Sequence, residues 1–281
     1  MTIGALVNRM KIGNQNMPGE GSIISDELLL EMESLSVEVG AEIMRYFRAD
    51  ISISHKNDGS PVTEADHAAE QIIVDALRQI TPGIPIIAEE AYTIAADKGK
   101  PTPDVSGGRF WLIDALDGTR EFIKHNEDFT VNIALIDNNE PALGVIYHPV
   151  SNTIYSGTSV GTAMRIGNDG QRQKITASLS DSSLRIVSSQ SYGNEIQLAK
   201  YLAGRQIIEH RHRPSSIKFC EVAEGRADLY PRFGPSREWD TAAGHAIVYA
   251  AGGSVTTSTG QPLLYGKEGF LNSDFVVRSR R

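Results

Sequence analysis

The hydrophobic pattern of the chain changes its period partway along, and that change limits the folds open to it. From Asp128 to about Ile166, apolar and polar residues alternate with period two, with turn sequences at DNNEP, HPVSN and GTSVG. That pattern predicts an antiparallel meander. Beyond Leu184, strand-like and helix-like segments take turns: LRIVSS, a helix from about Glu195 to Ala203, QIIEH, SSIKFCEVAEG, ADLYPR and WDTAAGHAIVYAAGG. A meander followed by alternating elements implies stacked helix and sheet layers, with a soft boundary between Ile166 and Leu184.

Ahead of the meander the sequence predicts two amphipathic helices. In SDELLLEMESLSVEVGAEIMRYF, Ser25 can cap, and Leu28, Met32, Leu35, Val39, Ile43 and Phe47 recur at spacings of three and four. After a short strand ISIS and a turn at Asp58-Gly59, Thr63-x-x-Asp66 reads as a capping box opening the second helix, with Ala69, Ile72, Ile73, Ala76, Leu77 and Ile80 as its apolar stripe. IPIIAEE and RFWLID then read as short buried strands whose ends carry Glu89, Glu90 and Asp114. Strand ends in layered α/β proteins are where sites are usually assembled.

Composition removes several classes of function. A net charge of -8 and a pI near 5.4 argue against a protein that holds nucleic acid on a basic surface. With 40% hydrophobic and 22% charged residues, a soluble globular protein is expected. The single cysteine, Cys220, allows no intramolecular disulfide and no multi-cysteine zinc site, and reads as a small buried hydrophobe. No stretch approaches the ~20 apolar residues of a membrane span, and the opening lacks a signal-peptide core. The expected location is the cytoplasm, or the periphery of the inner face of the cell membrane, with residues 1–22 a flexible tail. GxxxxGK[ST] and GxGxxG are absent and the histidines show no zinc spacing, so NTPase, dinucleotide and zinc chemistry lack their signatures; the one GxSxG match, GTSVG, falls on a turn of the meander and not on the strand-to-helix turn that a serine hydrolase needs.

What remains is a set of acids. In FWLIDALDGTREF, an apolar run ends at Asp114, and Asp117-Gly118-Thr119 follow directly. Singly, Asp240 could cap a helix, Asp117-Gly118 could make a turn and Glu89 could be an exposed acid. Together they call for a cation, because Asp114 ends a strand too apolar to hold an unpaired charge and no lysine or arginine follows before Arg120. Asp-x-x-Asp with a strand-end glutamate suits a hard divalent ion such as magnesium. Gly118 lets the backbone approach a ligand closely, and the N–H groups of Gly118 and Thr119 could cradle a phosphate. A phosphate beside carboxylate-held ions is the arrangement of metal-assisted phosphoester hydrolysis, and the ions would neutralise the acidic pocket before an anionic substrate enters.

SPVTEAD, IIAEE, WLIDALDGTREFI, FTVNIALI and EWDTAAGHAIVYAAGG closely resemble the inositol monophosphatase superfamily from about Ile51 to Phe275. SSIKFCEVAEGRADLYPRFGP followed by EWDTAAGHA resembles its bacterial 3'(2'),5'-bisphosphate nucleotidases. The resemblance implies a layered α/β/α/β/α sugar-phosphatase fold. It would divide into the tail, an N-terminal half (23–175) with most metal ligands, and a C-terminal half (176–281) that completes the site. It implies Glu89, Asp114, the Leu116 carbonyl, Asp117 and Asp240 as ligands of two or three Mg2+, with Glu90 behind them or as an occasional ligand. Asp66 and Thr119 match the pair that orients and activates the attacking water, and Gly118, Thr119, Lys56, Lys218 and Asp240 match substrate contacts. The implied activity is removal of the 3'-phosphate of adenosine 3',5'-bisphosphate to give AMP and phosphate, inhibited by lithium, in a protein that pairs as a homodimer. An inositol-monophosphate or sugar-phosphate phosphatase with the same metal site is the alternative. A catalytically silent metal-binding or assembly protein is a third reading, which the presence of every matched ligand opposes.

Departures from the family pattern are local. Ala115 stands where a proline is usual and is expected to loosen the metal loop modestly. VSSQSYGN (187–194) and Pro214 ahead of the paired serines differ in the half expected to meet a nucleoside or ring. EHRHR, Glu209 to Arg213, is a dense basic cluster and reads either as a steering patch or as a solvated edge. Trp239 is expected to pack and fix the start of the helix that follows.

Overall fold

The computed structural model describes residues 24–49, 53–57, 59–178, 183–189 and 193–280. The N-terminal tail, Asp58 of the predicted turn and positions 190–192 of VSSQSYGN lie outside the described residues.

Helix α1 (Asp26–Phe47) starts where predicted, with Ser25 Oγ accepting from the Leu28 N–H and Asp26 and Glu27 in the first turn. After the hairpin β1 (Ile53–His55) and β2 (Pro61–Thr63), α2 (Glu64–Ile80) opens with the predicted capping box, the Asp66 carboxylate accepting from the Thr63 N–H at 2.8 Å. Both helices cover one face of a seven-stranded sheet of β3 (Ile86–Ala88), β4 (Phe110–Asp117), β5 (Thr130–Asp137), β6 (Glu140–His148), β7 (Thr153–Thr158), β8 (Met164–Ile166) and β9 (Arg172–Lys174), paired in that order. Only the β3–β4 pair is parallel; the predicted meander is β5 to β8, and antiparallel pairing extends beyond it to β4 on one side and β9 on the other.

Period-two alternation sorts the strand residues between two cores. Trp111, Ile113, Val131, Ile133, Leu143 and Val145 pack with α1 and α2. Phe110, Leu112, Ala134, Ile136 and Ile146 face the other way, onto a middle layer of two helices, α6 (Ile217–Ala223) and α7 (Ala242–Ala250). That core continues through Val187, Tyr230, Phe275 and Val277 of a five-stranded sheet ordered β11-β10-β12-β14-β13. Its strands are β10 (Leu184–Ser189), β11 (Ile207–Arg213), β12 (Leu229–Arg232), β13 (Ser254–Thr257) and β14 (Phe275–Arg278). On its far face Ile186, Leu229 and Val276 pack with Leu198 and Leu202 of α5 (Glu195–Leu202). The result is the α/β/α/β/α stack. α7 crosses the first sheet over Gly144 and Gly157, where a Cβ would come 2.8 Å from Ala246 and from Ala250 respectively. Among the described residues no helix is long and apolar enough to cross a membrane.

Three sequence expectations need correction. Glu89 and Glu90 do not end a strand; they are the first residues of α3 (Glu89–Asp97). β4 does not stop at Asp114 but runs to Asp117 through a register shift against β5. Asp240 does not open a helix; it sits in a turn ahead of α7, whose N-cap is Thr241. In addition β11 extends beyond QIIEH to Arg213.

Candidate active site

The register shift between Asp114 and Asp117 is a bulge, and bulges bend a strand and re-aim its side chains. Asp114 Oδ1 accepts from the Leu116 N–H at 3.1 Å, which pins the loop from within although Ala115 replaces a proline. Gly118 then turns with φ of 103°, in the left-handed region that favours glycine, and a Cβ there would also press on the Asp128 carbonyl and Phe129. This starts α4 (Thr119–Ile123) at the mouth of the bulge.

Carboxylate oxygens of Glu89, Asp114 and Asp240 lie within 4.8 Å of one another, although the residues come from α3, β4 and the turn before α7. Asp114 is buried and the other two are half-buried. Burial raises the Asp114 carboxyl well above the ordinary range, and Glu89, Asp117 and Asp240 raise it further. Burial, then Asp117 and Glu89, push Asp240 up to about 8. Three converging oxygen donors with no nitrogen or sulfur among them fit a hard divalent cation. Asp117 is outside this group of three; its carboxyl is raised by burial and held down by Lys218 and by Asn132, whose Nδ2 donates to Oδ2 at 3.3 Å. Glu238 braces the turn carrying Asp240, accepting from the N–H groups of Gly266 and Lys267 and pairing with the Lys267 ammonium at 2.6 Å.

Asp66 has both expected contacts. Its Oδ2 holds the Thr63 cap, and its Oδ1 accepts from Thr119 Oγ1 at 2.9 Å. Thr119 Oγ1 also lies 3.1 Å from the Leu116 carbonyl oxygen. Burial raises the Asp66 carboxyl against the opposing pull of the Thr63 bonds.

A cavity of about 410 Å³ joins these groups, with Glu89, Asp114, Leu116, Asp117, Thr119 and Asp240 in its lining, as well as Gly118. Lys218, Arg232 and Arg237 line it too. Lys218 is buried, its ammonium 5.2 Å from the Tyr230 ring centre and hydrogen-bonded to the Ser215 carbonyl, and burial lowers it to about 8. Lys56 is placed differently: its ammonium pairs with Glu89 and Glu90 at 2.6 Å each, behind the lining residue Glu89. Burial works to lower the Lys56 pKa, and the two glutamates overcome it and raise it.

Sequence reasoning missed the support behind Asp117. Ser216 Oγ donates to Asn132 Oδ1 at 2.7 Å and meets Thr130 Oγ1 at 2.8 Å, so Asn132 is held while it donates to Asp117. The available signal was an amide in the middle of the apolar strand TVNIALID. Arg232 was missed as well. The EHRHR arginines are engaged on the edge strand β11: Arg213 with Asp128 and Glu221, Arg211 with Glu209 and Glu221. Trp239 is buried and packs with Tyr92 and Phe270, as expected of a residue that fixes the turn. Cys220 is buried.

Five layers, a carboxylate cluster at the bulged end of a central strand and a Thr–Asp pair beside it define a metal-dependent phosphatase scaffold. The model of the inositol monophosphatase family matches residues 25–279, and the chain belongs to that family. It is 44% identical over 257 residues to the 3'(2'),5'-bisphosphate nucleotidase CysQ of Escherichia coli (strain K12), covering 89% of this chain and 99% of that protein. Against CysQ of Buchnera aphidicola subsp. Acyrthosiphon pisum the identity is 40%, with 89% and 93% covered. Among solved structures, CysQ from Bacteroides thetaiotaomicron, a bacterial member of the inositol monophosphatase family, matches with a TM-score of 0.76 and 32% identity over 92% of this chain and all of that one.

Proposed function

We propose that the chain is a magnesium-dependent 3'(2'),5'-bisphosphate nucleotidase that hydrolyses the 3'-phosphate of adenosine 3',5'-bisphosphate to AMP and phosphate. The observation that carries this reading is one cavity lined both by the carboxylate cluster with its Thr119–Asp66 pair and by the cations Lys218, Arg232 and Arg237. A substrate with two phosphates uses both linings, one phosphate at the cluster and the other at the cations, whereas a monophosphate leaves the cations unused. Similarity to the CysQ nucleotidases supports the same choice.

Glu89, Asp114, Asp117, Asp240 and the Leu116 carbonyl would hold the ions. Bound there, divalent ions supply positive charge that draws in the phosphate and stabilises the departing ribose oxygen. The Thr119 hydroxyl donates to Asp66 Oδ1, which leaves its lone pairs free of that bond and able to accept a proton from the attacking water. Thr119 passes its own proton to Asp66, whose burial makes it a stronger base than an ordinary aspartate. Gly118, whose left-handed φ of 103° favours glycine, puts its backbone in the cavity wall, where the phosphate would meet it.

Phosphate release with Mg2+ tests the reading, with adenosine 3',5'-bisphosphate, inositol 1-phosphate and fructose 1,6-bisphosphate side by side, each with and without lithium and with a chelator. Preference for the nucleotide, inhibited by lithium and abolished by the chelator, is expected. Preference for the inositol or sugar phosphate would overturn the substrate assignment, and full activity in chelator would overturn the metal site.

A further inference from the structure

We propose that Glu70 is the positioning residue that aims Glu89 at the cation site, an inference that rests on the metal-site reading above. α3 begins at Glu89 without a cap of its own, since Ala88 occupies the N-cap and supplies no side-chain acceptor. Its first amides are satisfied from another helix. Glu70 Oε2 accepts from the Glu90 N–H at 2.7 Å, and Oε1 accepts from the Ala91 N–H at 2.8 Å. Glu70 is 6% exposed and its bond to the Glu90 N–H is buried, so water is poorly placed to replace that bond, while the bond to the Ala91 N–H is only part-buried; removing the carboxylate strands at least the Glu90 donor. A negative group at this end also complements the dipole of α3.

Glu70 lies one turn beyond Asp66 on α2, so the same helix face presents Asp66 to Thr119 and Glu70 to the start of α3. One rigid element thereby fixes the distance between the proton acceptor and a carboxylate of the cation cluster, although Asp66 and Glu89 belong to different elements. Lys56 completes the arrangement by gripping the Glu89 and Glu90 side chains while Glu70 grips the backbone. Glu70 touches neither substrate nor reacting atoms, so its loss should weaken metal binding and leave the chemistry of the loaded enzyme nearly intact.

The test uses the full chain and two variants, Glu70→Ala and Glu70→Gln. Mn2+ binding is followed by the electron paramagnetic resonance of free Mn2+, alongside kcat and the Mg2+ half-saturation for phosphate release. For Glu70→Ala the Mn2+ Kd and the Mg2+ half-saturation should both rise about tenfold or more, with kcat at saturating Mg2+ close to that of the wild type. Glu70→Gln keeps one acceptor but turns an NH2 on the other amide, so a smaller rise in the same direction is expected. If Glu70→Ala does not fold, Glu70→Gln decides. Unchanged Mn2+ affinity, whatever happens to Tm, would make Glu70 a plain helix cap and overturn the proposal. A wild-type chain that binds no Mn2+ would instead overturn the metal site on which the proposal rests.

Discussion

Replacing Asp66 with asparagine separates the two contacts this carboxylate makes. Oδ2 accepts from the Thr63 N–H at 2.8 Å and from Thr63 Oγ1 at 2.7 Å, while Oδ1 accepts from Thr119 Oγ1 at 2.9 Å. Asparagine can place its carbonyl oxygen at the Oδ2 position and keep the cap. Its amide nitrogen then stands at the Oδ1 position and can only donate, so the Thr119 hydroxyl loses its acceptor there and turns to the Leu116 carbonyl, 3.1 Å away. General-base catalysis contributes about 10²–10⁴-fold, so kcat should fall at least about a hundredfold. The weakened cap costs about 1 kcal/mol at most, a loss of roughly 2–4 °C in Tm for a chain of this size. Phosphate release at saturating Mg2+ and thermal unfolding of the same preparation measure both. A kcat within threefold of the wild type would remove Asp66 from the proton path, and a collapse of Tm alongside lost activity would show that the two contacts do not separate.

Gly144→Ala probes how α7 places Asp240. The new Cβ would press hardest on the Ala243 carbonyl oxygen and would lie 2.8 Å from the Ala246 Cβ and 2.9 Å from the Ala243 Cα, against the 3.4 Å at which ordinary contact begins, so α7 must back away by more than half an ångström. About 1–3 kcal/mol of stability should be lost in urea unfolding, together with a drop in kcat as the Asp240 turn moves; wild-type values for both would show that α7 is not so tightly seated. His245 is buried against Tyr265, its Nδ1 3.0 Å from the tyrosine hydroxyl, and burial first and Lys267 second lower its pKa to about 3. Because the folded value lies below the unfolded one of about 6.5, its stabilising effect is full above pH 6.5 and declines as pH falls toward 3, on the order of 1.4 kcal/mol per pH unit. Urea unfolding at pH 6.5 and 4.5 should therefore show a shallower acid loss for His245→Gln than for the wild type; identical slopes would refute the assignment.

Local signals in the sequence reached the structure, and tertiary ones did not. The Thr63–Asp66 capping box, the Ser25 cap and the alternation that sends Trp111 one way and Leu112 the other depend on neighbours within a few positions. The acids of DALDGT were legible as a candidate site because charge at the end of an apolar strand is costly without a partner. Glu89 was misread as a strand end because its own flank offers no cap: the acceptor that starts α3 is Glu70, 20 positions away from Glu90. The Asn132–Ser216 support for Asp117 spans 84 positions and leaves only one polar residue in a strand as its trace. EHRHR looked like a free basic patch because the buried Glu221, which pairs with Arg211 and Arg213, comes from α6.

The carboxylate cluster should also make native stability depend on a cation. Glu89, Asp114 and Asp240 converge within 4.8 Å in a partly buried setting, where like charges repel more strongly than in water and each loses hydration. Lys56 offsets this on the Glu89 and Glu90 side, and Lys218 faces Asp117, but Asp114 lies at the centre of the cluster with Glu89, Asp117 and Asp240 all raising it. A divalent ion at the convergence replaces repulsion by attraction only in the folded chain, since unfolding scatters ligands drawn from α3, β4 and the turn before α7. At a hundred times its Kd, one Mg2+ should raise stability by about 2.7 kcal/mol, and a second ion should add to it. Thermal unfolding in Mg2+ and in chelator measures the difference, with Asp114→Asn as the comparison: the variant should be more stable than the wild type without metal and gain less from adding it. A wild type whose Tm does not respond to Mg2+, or an Asp114→Asn chain that gains as much as the wild type, would mean that the cluster is held together by protons and lysines alone.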